Sequence, residues 1–391
     1  MILKFEECEL DTGQYELRRG GVPVPVEPQV FDLLRVLIEN CDRIVTKDEL
    51  FEQVWEGRIV SDATLNSRIN AARKAIGDNG TDQRLIRTAP RRGFRFVGAV
   101  AEDAAEAHKS LSSMALRQEV QFCTSPGGVG LAYSSVGKGM PLVKAANWLN
   151  HLEYDWESPL WHETLERLAT GRQLIRYDER GTGLSDWDVD DISFDAFVRD
   201  LETVVDAAGL DRFALFGISQ GSAVSIAYAV RHPERVSKLI LLGGYLQGRI
   251  PRGDMESARA LQTLIRQGWG DENSAMLPAF CSLFLPEGSS AQVRGLAEMQ
   301  RRSAPVGNAM RIREALDNID VTALVSQVTA PTLVLHVRHD SVAPFEQGRL
   351  IASSIPGARF VSLEGGSHFL LPGLPAWDRC MEEIDAFLAE G

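Results

Sequence analysis

Residues 212–221 read Arg-Phe-Ala-Leu-Phe-Gly-Ile-Ser-Gln-Gly, an apolar run closing in a G-x-S-x-G pentapeptide, and Ser222 to Val230 are small and helix-compatible. Strand, tight turn and helix in that order hold a serine hydroxyl, that of Ser219, above the edge of a sheet. Working outward, strand-like runs recur at Val120–Thr124, Leu131–Ser135, Pro141–Lys144, Gln173–Tyr177, Leu239–Leu242, Pro331–Val337 and Arg359–Leu363, with helical stretches alternating between them. One such helix, Phe194 to Ala208, is expected to bury Phe194, Phe197, Val198, Leu201 and Val205. This alternation predicts a mainly parallel sheet with helices on both faces. From Gly244 to about Gln327 the pattern is helical only, as for a cap inserted over the C-terminal ends of the strands.

A serine is a weak nucleophile until a base takes its proton and an acid holds that base in the right tautomer. Asp340 follows one strand and His368, in Gly365-Gly-Ser-His-Phe369, follows the next, so the chain order is Ser, Asp, His. His336 and His339 flank Asp340 and rival His368 as the base, but they precede the acid. Tyr177-Asp-Glu-Arg-Gly-Thr-Gly-Leu-Ser185 is similar to a D-x-R-G-x-G-x-S turn. Taken together, residues 120–389 resemble the α/β-hydrolase superfamily, in which that triad order is fixed. The resemblance implies Ser219, Asp340 and His368 as catalytic residues and an oxyanion hole made by the backbone N–H groups of Gln220 and Trp148. The chain departs from the pattern at Ala146-Asn147, where most relatives carry His-Gly. Either the hole survives with the asparagine amide helping or it has been lost, and a misplaced donor costs about 3 kcal/mol of transition-state stabilisation. Asn147, Trp148, Tyr154 and Trp156 are pocket candidates beside the hole. Phe280 and Phe284 of the cap are further candidates, with simple packing between cap and sheet as the alternative. His151, His162 and His232 read as surface residues.

The first hundred residues follow a different plan. Strand and turn formers fill Ile2 to Val26, and then Val30, Phe31, Leu33, Leu34, Leu37 and Ile38 lie on one helical face. Thr46 with Glu49 makes a capping box for a second helix, and Asp62 is a candidate cap for a third, Ala63 to Ile76. Leu85-Ile-Arg87 and Phe94-Arg-Phe-Val97 read as a hairpin around Thr88 to Gly93. With Ala71-Ala-Arg-Lys-Ala-Ile-Gly77 and Pro90-Arg-Arg-Gly-Phe-Arg-Phe96, residues 1–100 resemble the winged-helix effector domain of OmpR/PhoB-type response regulators. No receiver domain accompanies it, so its input is expected from elsewhere in the chain. The resemblance places the third helix in the major groove of double-stranded DNA. Thr64, Asn66, Ser67, Arg68, Asn70 and Arg73 face away from its apolar side, with Arg68 and Asn70 as base readers. Arg73, Lys74, Arg91 and Arg92 are expected to hold phosphates. The alternative for each is a solvated helix face.

The expected organisation is an α+β winged helix over 1–100, a partly helical linker over 101–118 and an α/β-hydrolase domain over 119–391. A length of 391 residues suits two or three domains. The net charge of −13 argues against nucleic acid, yet its distribution argues for it. Residues 1–57 hold 6 Lys/Arg against 13 Asp/Glu, whereas 58–100 hold 9 against 3. A local basic face on an acidic chain is an electrostatic footprint for phosphate. No apolar run is long enough to span a bilayer, and no signal peptide is recognisable. The five scattered cysteines suggest reduced thiols in a cytoplasm. No metal-ligand spacing is present and no cofactor is expected. Two readings follow: a regulator sensing, and slowly hydrolysing, a largely apolar ester or lactone, or a carboxylic-ester hydrolase with an accessory DNA-binding domain. A homodimer is compatible with either.

Overall fold

The computed structural model describes residues 2–12, 15–41, 43–55, 60–89, 92–98, 101–102, 116–270 and 274–390. The chain divides into two compact units, 1–115 and 116–391.

In the first unit, Ile2–Phe5, Cys8–Asp11, Glu16–Arg19 and Val22–Val24 form an antiparallel meander. Ala101–Glu102 adds a fifth strand against Leu3 and Lys4, so the segment read as a linker starts as part of this sheet. Residues 103–115 of that linker lie outside the described residues. Three helices follow: Pro28–Glu39, Lys47–Trp55 and Asp62–Ala75. The Thr46–Glu49 capping box is present, with the Thr46 amide donating to Glu49 at 2.7 Å and the Glu49 amide to Thr46 Oγ1 at 3.2 Å. The third helix is capped by Ser61 rather than Asp62, through the Thr64 amide at 3.3 Å. Ile86–Ala89 and Gly93–Phe96 form the hairpin, and Val45–Thr46 extends it to three strands. Leu65, Ile69, Ala72 and Ile76 are buried against the first helix and the sheets, as their spacing predicts.

The second unit is an eight-stranded sheet. Its spatial order is Arg359–Leu363, Thr332–Val337, Val236–Leu242, Phe213–Ile218, Met140–Lys144, Arg172–Tyr177, Gly130–Val136, Glu119–Thr124. The first six strands are parallel; Gly130–Val136 pairs antiparallel to both its neighbours. Phe213–Ile218 and Thr332–Val337 are buried at every position, because helices cover both faces of a parallel sheet. The helix Phe194–Ala207 buries Phe197, Val198, Leu201 and Val205 as expected, with Phe194 only half-buried. Between Leu242 and Thr332 the regular elements are helical: Met255–Gly268, Met276–Ser282, Ser290–Ser303, Val306–Asp317 and a short 3₁₀ turn. Among the described residues, no helix is long and apolar enough to cross a membrane.

Candidate active site and nucleic-acid interface

The serine turn is built by close approach. Ser219 has φ 53° and ψ −122°, a conformation that an L-residue holds only when its surroundings force it. They do: a Cβ on Gly217 would lie 2.5 Å from the Gly221 carbonyl, and one on Gly221 would lie 2.8 Å from that of Ala146. The helix Gln220–Arg231 can therefore pack closely onto the sheet, starting directly after the serine.

His368 Nδ1 lies 2.7 Å from Asp340 Oδ2, while Asp340 Oδ1 accepts the amides of Val342 and Ala343 at 2.8 and 2.9 Å. Burial favours the neutral acid, but His368 and the two amides outweigh it and hold the Asp340 carboxyl below its ordinary range. A Cβ on Gly243 would sit 3.1 Å from the His368 ring, so this glycine makes room for the pair. His368 Nε2 is buried without a hydrogen-bond partner. Both His368 and Ser219 line one chamber, whose walls include Trp161, Leu296, Met299, Phe369 and Trp377.

His336 also approaches the carboxylate, its Nε2 3.8 Å from the same Oδ2, but that Nε2 donates to the Ala343 carbonyl at 3.0 Å and the ring is fully buried. Burial holds it below its ordinary pKa, so it is a neutral packing partner of the acid. His339 is exposed. His151 is buried rather than superficial, which pushes its pKa down to about 4.

The loop carrying Trp148 settles how Asn147 is accommodated. The residue with positive φ there is Leu149, at 46°, and Asn147 is not among the residues with positive φ. The asparagine therefore carries no left-handed strain. Its Oδ1 accepts from Lys144 Nζ, whose burial lowers its pKa to about 8. Below lies a buried polar brace from the D-x-R-G-x-G-x-S turn. Asp178 accepts from Asn150 Nδ2 at 2.9 Å and from the Leu184 and Leu152 amides at 2.8 and 3.2 Å. Glu179 accepts from Gln220 Nε2 at 3.0 Å, and Arg180 forms a buried ion pair with Asp200 at 2.6 Å. Burial raises both Asp178 and Glu179 to about 8. This turn thus ties the Asn150–Leu152 segment to Gln220, the residue after the serine.

Of the pocket candidates, Asn147, Trp148 and Phe284 line the chamber with Ser219. Phe280 does not; it is fully buried behind the wall, 5.9 Å from the Trp148 ring and 5.3 Å from Phe284. Tyr154 and Trp156 also lie outside it. Their helix, Leu152–Glu157, turns Leu152 and Asp155 inward, leaving Tyr154 over the Arg302 guanidinium and Trp156 over Arg176. Trp161, Met299 and Trp377 went unread because distant segments bring them together, and no local pattern marks them.

On the third helix of the first unit, Asn66, Ser67, Asn70 and Lys74 are exposed and Thr64 is half-buried. Arg68 is engaged at home: Nη1 pairs with Glu27 at 2.8 Å and Nε donates to Gln29 at 3.2 Å. Arg73, expected at the phosphates, is turned inward. It is 4% exposed, and its guanidinium donates to the Ile86 carbonyl at 2.8 and 3.1 Å and to Thr88 Oγ1 at 3.0 Å, pinning helix to hairpin. Arg92 is exposed at the hairpin turn, while Arg91 lies outside the described residues. Arg87 and Arg95, which were not among the expected DNA contacts, are directly opposed across the hairpin and both exposed, with Arg95 Nε donating to the Cys41 carbonyl at 3.2 Å. Their alternation with buried Ile86, Phe94 and Phe96 was the available signal. Like charges so placed repel, and an anion laid across them relieves the repulsion.

Comparison with known proteins agrees with both halves. The alpha/beta hydrolase fold family model matches residues 149–372, and the chain belongs to that family. The model described as transcriptional regulatory protein, C terminal, matches residues 21–96. RutD of Klebsiella pneumoniae (strain 342), a candidate carbamate hydrolase, is 27% identical over 213 residues, 53% of this chain and 79% of that one. Pyrrolizixenacetamide deacetylase of Xenorhabdus hominickii is 26% identical over 245 residues, 61% and 88% of the two chains. Among solved structures, the enol-lactonase from Burkholderia xenovorans LB400 superposes with a TM-score of 0.56 at 22% identity, over 69% of this chain and all of that one. Esterase RhEst1 from Rhodococcus sp. ECU1013 gives 0.56 at 25% identity, over 69% and 98%. The protein joins a DNA-binding regulatory domain to an α/β-hydrolase domain.

Proposed function

We propose that this chain is a transcription regulator whose hydrolase-fold domain takes up a small ester or lactone, occupancy sets DNA affinity, and slow hydrolysis resets the signal. The observation that carries the reading is the shared chamber: a strained Ser219 and a His368 with an unpartnered Nε2, oriented from behind by Asp340, face one apolar space. In this chemistry Ser219 Oγ attacks the carbonyl carbon while His368 Nε2 takes its proton. The amides of Gln220 and Trp148 hold the oxyanion. The carbon–oxygen bond to the alcohol then breaks as His368 returns the proton to the leaving oxygen. Water, deprotonated by the same imidazole, then attacks the acyl carbon, and the acyl–Oγ bond breaks as His368 returns that proton to Ser219 Oγ. The relatives named for carbamate hydrolysis and deacetylation perform reactions of this acyl-transfer class.

The relaxed backbone at Asn147 favours a second reading, a fully active ester hydrolase with an accessory DNA-binding domain. One experiment separates them. A fluorophosphonate probe should label the wild type and not Ser219→Ala, and labelling that survives the substitution would refute the nucleophile. In Ser219→Ala, which cannot turn over, an ester ligand should still shift DNA affinity if the chain is a regulator. An unchanged affinity would leave only the hydrolase.

A further inference from the structure

Ser219 also lines a second, smaller and tighter pocket. Trp148, Ser219 and Phe284 belong to the walls of both. The two differ in chemistry. The larger is mostly apolar, whereas the smaller gathers Arg249, Arg252 and Arg313 with Tyr245. Asp317 is the carboxylate that the structure pairs with this cluster. It is fully buried and bound to Arg313 by two hydrogen bonds, at 2.6 and 3.0 Å, with Arg249 at a looser 3.5 Å. Arg252 donates to the Gln247 carbonyl at 3.1 Å, with no carboxylate among its recorded partners in the described residues.

Three guanidinium groups thus meet one committed carboxylate beside the nucleophile. Burial pulls Arg249 and Arg252 below their ordinary pKa, and repulsion from Arg313 adds to it. Guanidinium does not shed its proton in proteins, so this cost is relieved by an anion, not by neutralisation. Arg313 stacks on Trp148, its guanidinium carbon 5.7 Å from the ring centre, and the indole N–H of Trp148 is buried without an acceptor. Arg249, Arg252 and Val342 also line a more open groove. The acids lining that groove are already occupied: Asp254 caps a helix through the Ser257 amide, and Asp340 holds His368.

We infer that the ligand of this site is an ester or lactone carrying a carboxylate, with its apolar part in the larger chamber, its carbonyl at Ser219 and its carboxylate among Arg249, Arg252 and Arg313. The inference deepens the proposed function and rests on Ser219 as the reacting centre. The planar guanidinium fork matches a carboxylate, and the two compartments set its orientation. The outer arginines also draw an anion toward the entrance.

The test uses the full chain as Ser219→Ala and two probes differing in one group: 4-nitrophenyl hydrogen glutarate and its neutral carboxamide isostere. Calorimetry should show the carboxylate binding at least about tenfold more tightly, as for a charge-assisted hydrogen bond. The preference should collapse when Arg252→Gln is added, with the unfolding midpoint confirming that the variant is folded. Equal affinity for the two probes overturns the inference without any arginine variant being needed. Fluorophosphonate labelling of the wild type keeps the two failures apart. Labelled serine with no carboxylate preference sinks this inference alone, whereas a retained preference without labelling sinks only the serine chemistry.

Discussion

Arg73→Met tests whether the buried arginine is a pin or a phosphate ligand. The substitution keeps an apolar stem and removes the guanidinium. Ile86 then loses the donor to its carbonyl, which Arg73 supplies from the helix side while Asp78 accepts the Ile86 amide at 2.9 Å. Thr88 is exposed and water replaces its lost partner, so the penalty concentrates on the Ile86 carbonyl. A buried acceptor left unsatisfied costs about 1–3 kcal/mol. Spread over the local opening of the hairpin, that is roughly a 5- to 150-fold faster amide exchange. Hydrogen-exchange mass spectrometry on the full chain should place the acceleration in 84–97 and leave the second unit unchanged. Salt titration of DNA binding supplies the opposing readout, because losing one phosphate contact would flatten the slope of log affinity against log salt by about 0.9. Unchanged exchange together with a flattened slope would refute the pin.

Replacing both Arg87 and Arg95 by alanine should flatten that same slope by up to roughly 2 units and weaken all duplex sequences alike; an unaltered slope removes the hairpin face from the interface. Asp340→Asn should slow fluorophosphonate labelling by about four orders of magnitude, since an amide in its place turns the His368 proton to the wrong nitrogen; near-normal labelling would mean the acid lies elsewhere. Glu179→Gln concerns pH. The folded pKa of Glu179, about 8, lies above the ordinary 4.5, so folding takes up a proton between those values. Stability from this group is full below the lower value and is lost as pH rises through the upper one. The variant keeps an acceptor for Gln220, so its melting temperature should fall less than that of the wild type between pH 5 and 9; parallel curves would refute the assignment.

The strained turn at Ser219 and the Asp340–His368 pair were legible because each lies at a strand end, where local pattern and fold topology coincide. The third helix was legible for the same reason on its apolar side. Its polar side was not: Arg68 and Arg73 look alike in a helical projection, and only the hairpin and the first helix decide that one is buried and the other ion-paired. The pocket was read from neighbours of Trp148 in sequence, but helix Leu152–Glu157 turns Tyr154 and Trp156 away, and distant segments supply the walls. Likewise the concern over Asn147 assumed that the backbone turn sits where glycine usually stands, whereas Leu149 carries it here.

The positive φ of Ser219 has a consequence for anyone wishing to stabilise this protein. Glycine accepts that backbone without penalty, so Ser219→Gly should gain about 1 kcal/mol while abolishing covalent chemistry. The residue proposed to react is also the one whose backbone the fold holds under strain. A thermostable, non-reactive receptor for the same ligand therefore begins with one substitution at the centre of the site, and the difference in melting temperature between Ser219→Gly and Ser219→Ala reads the stored strain directly.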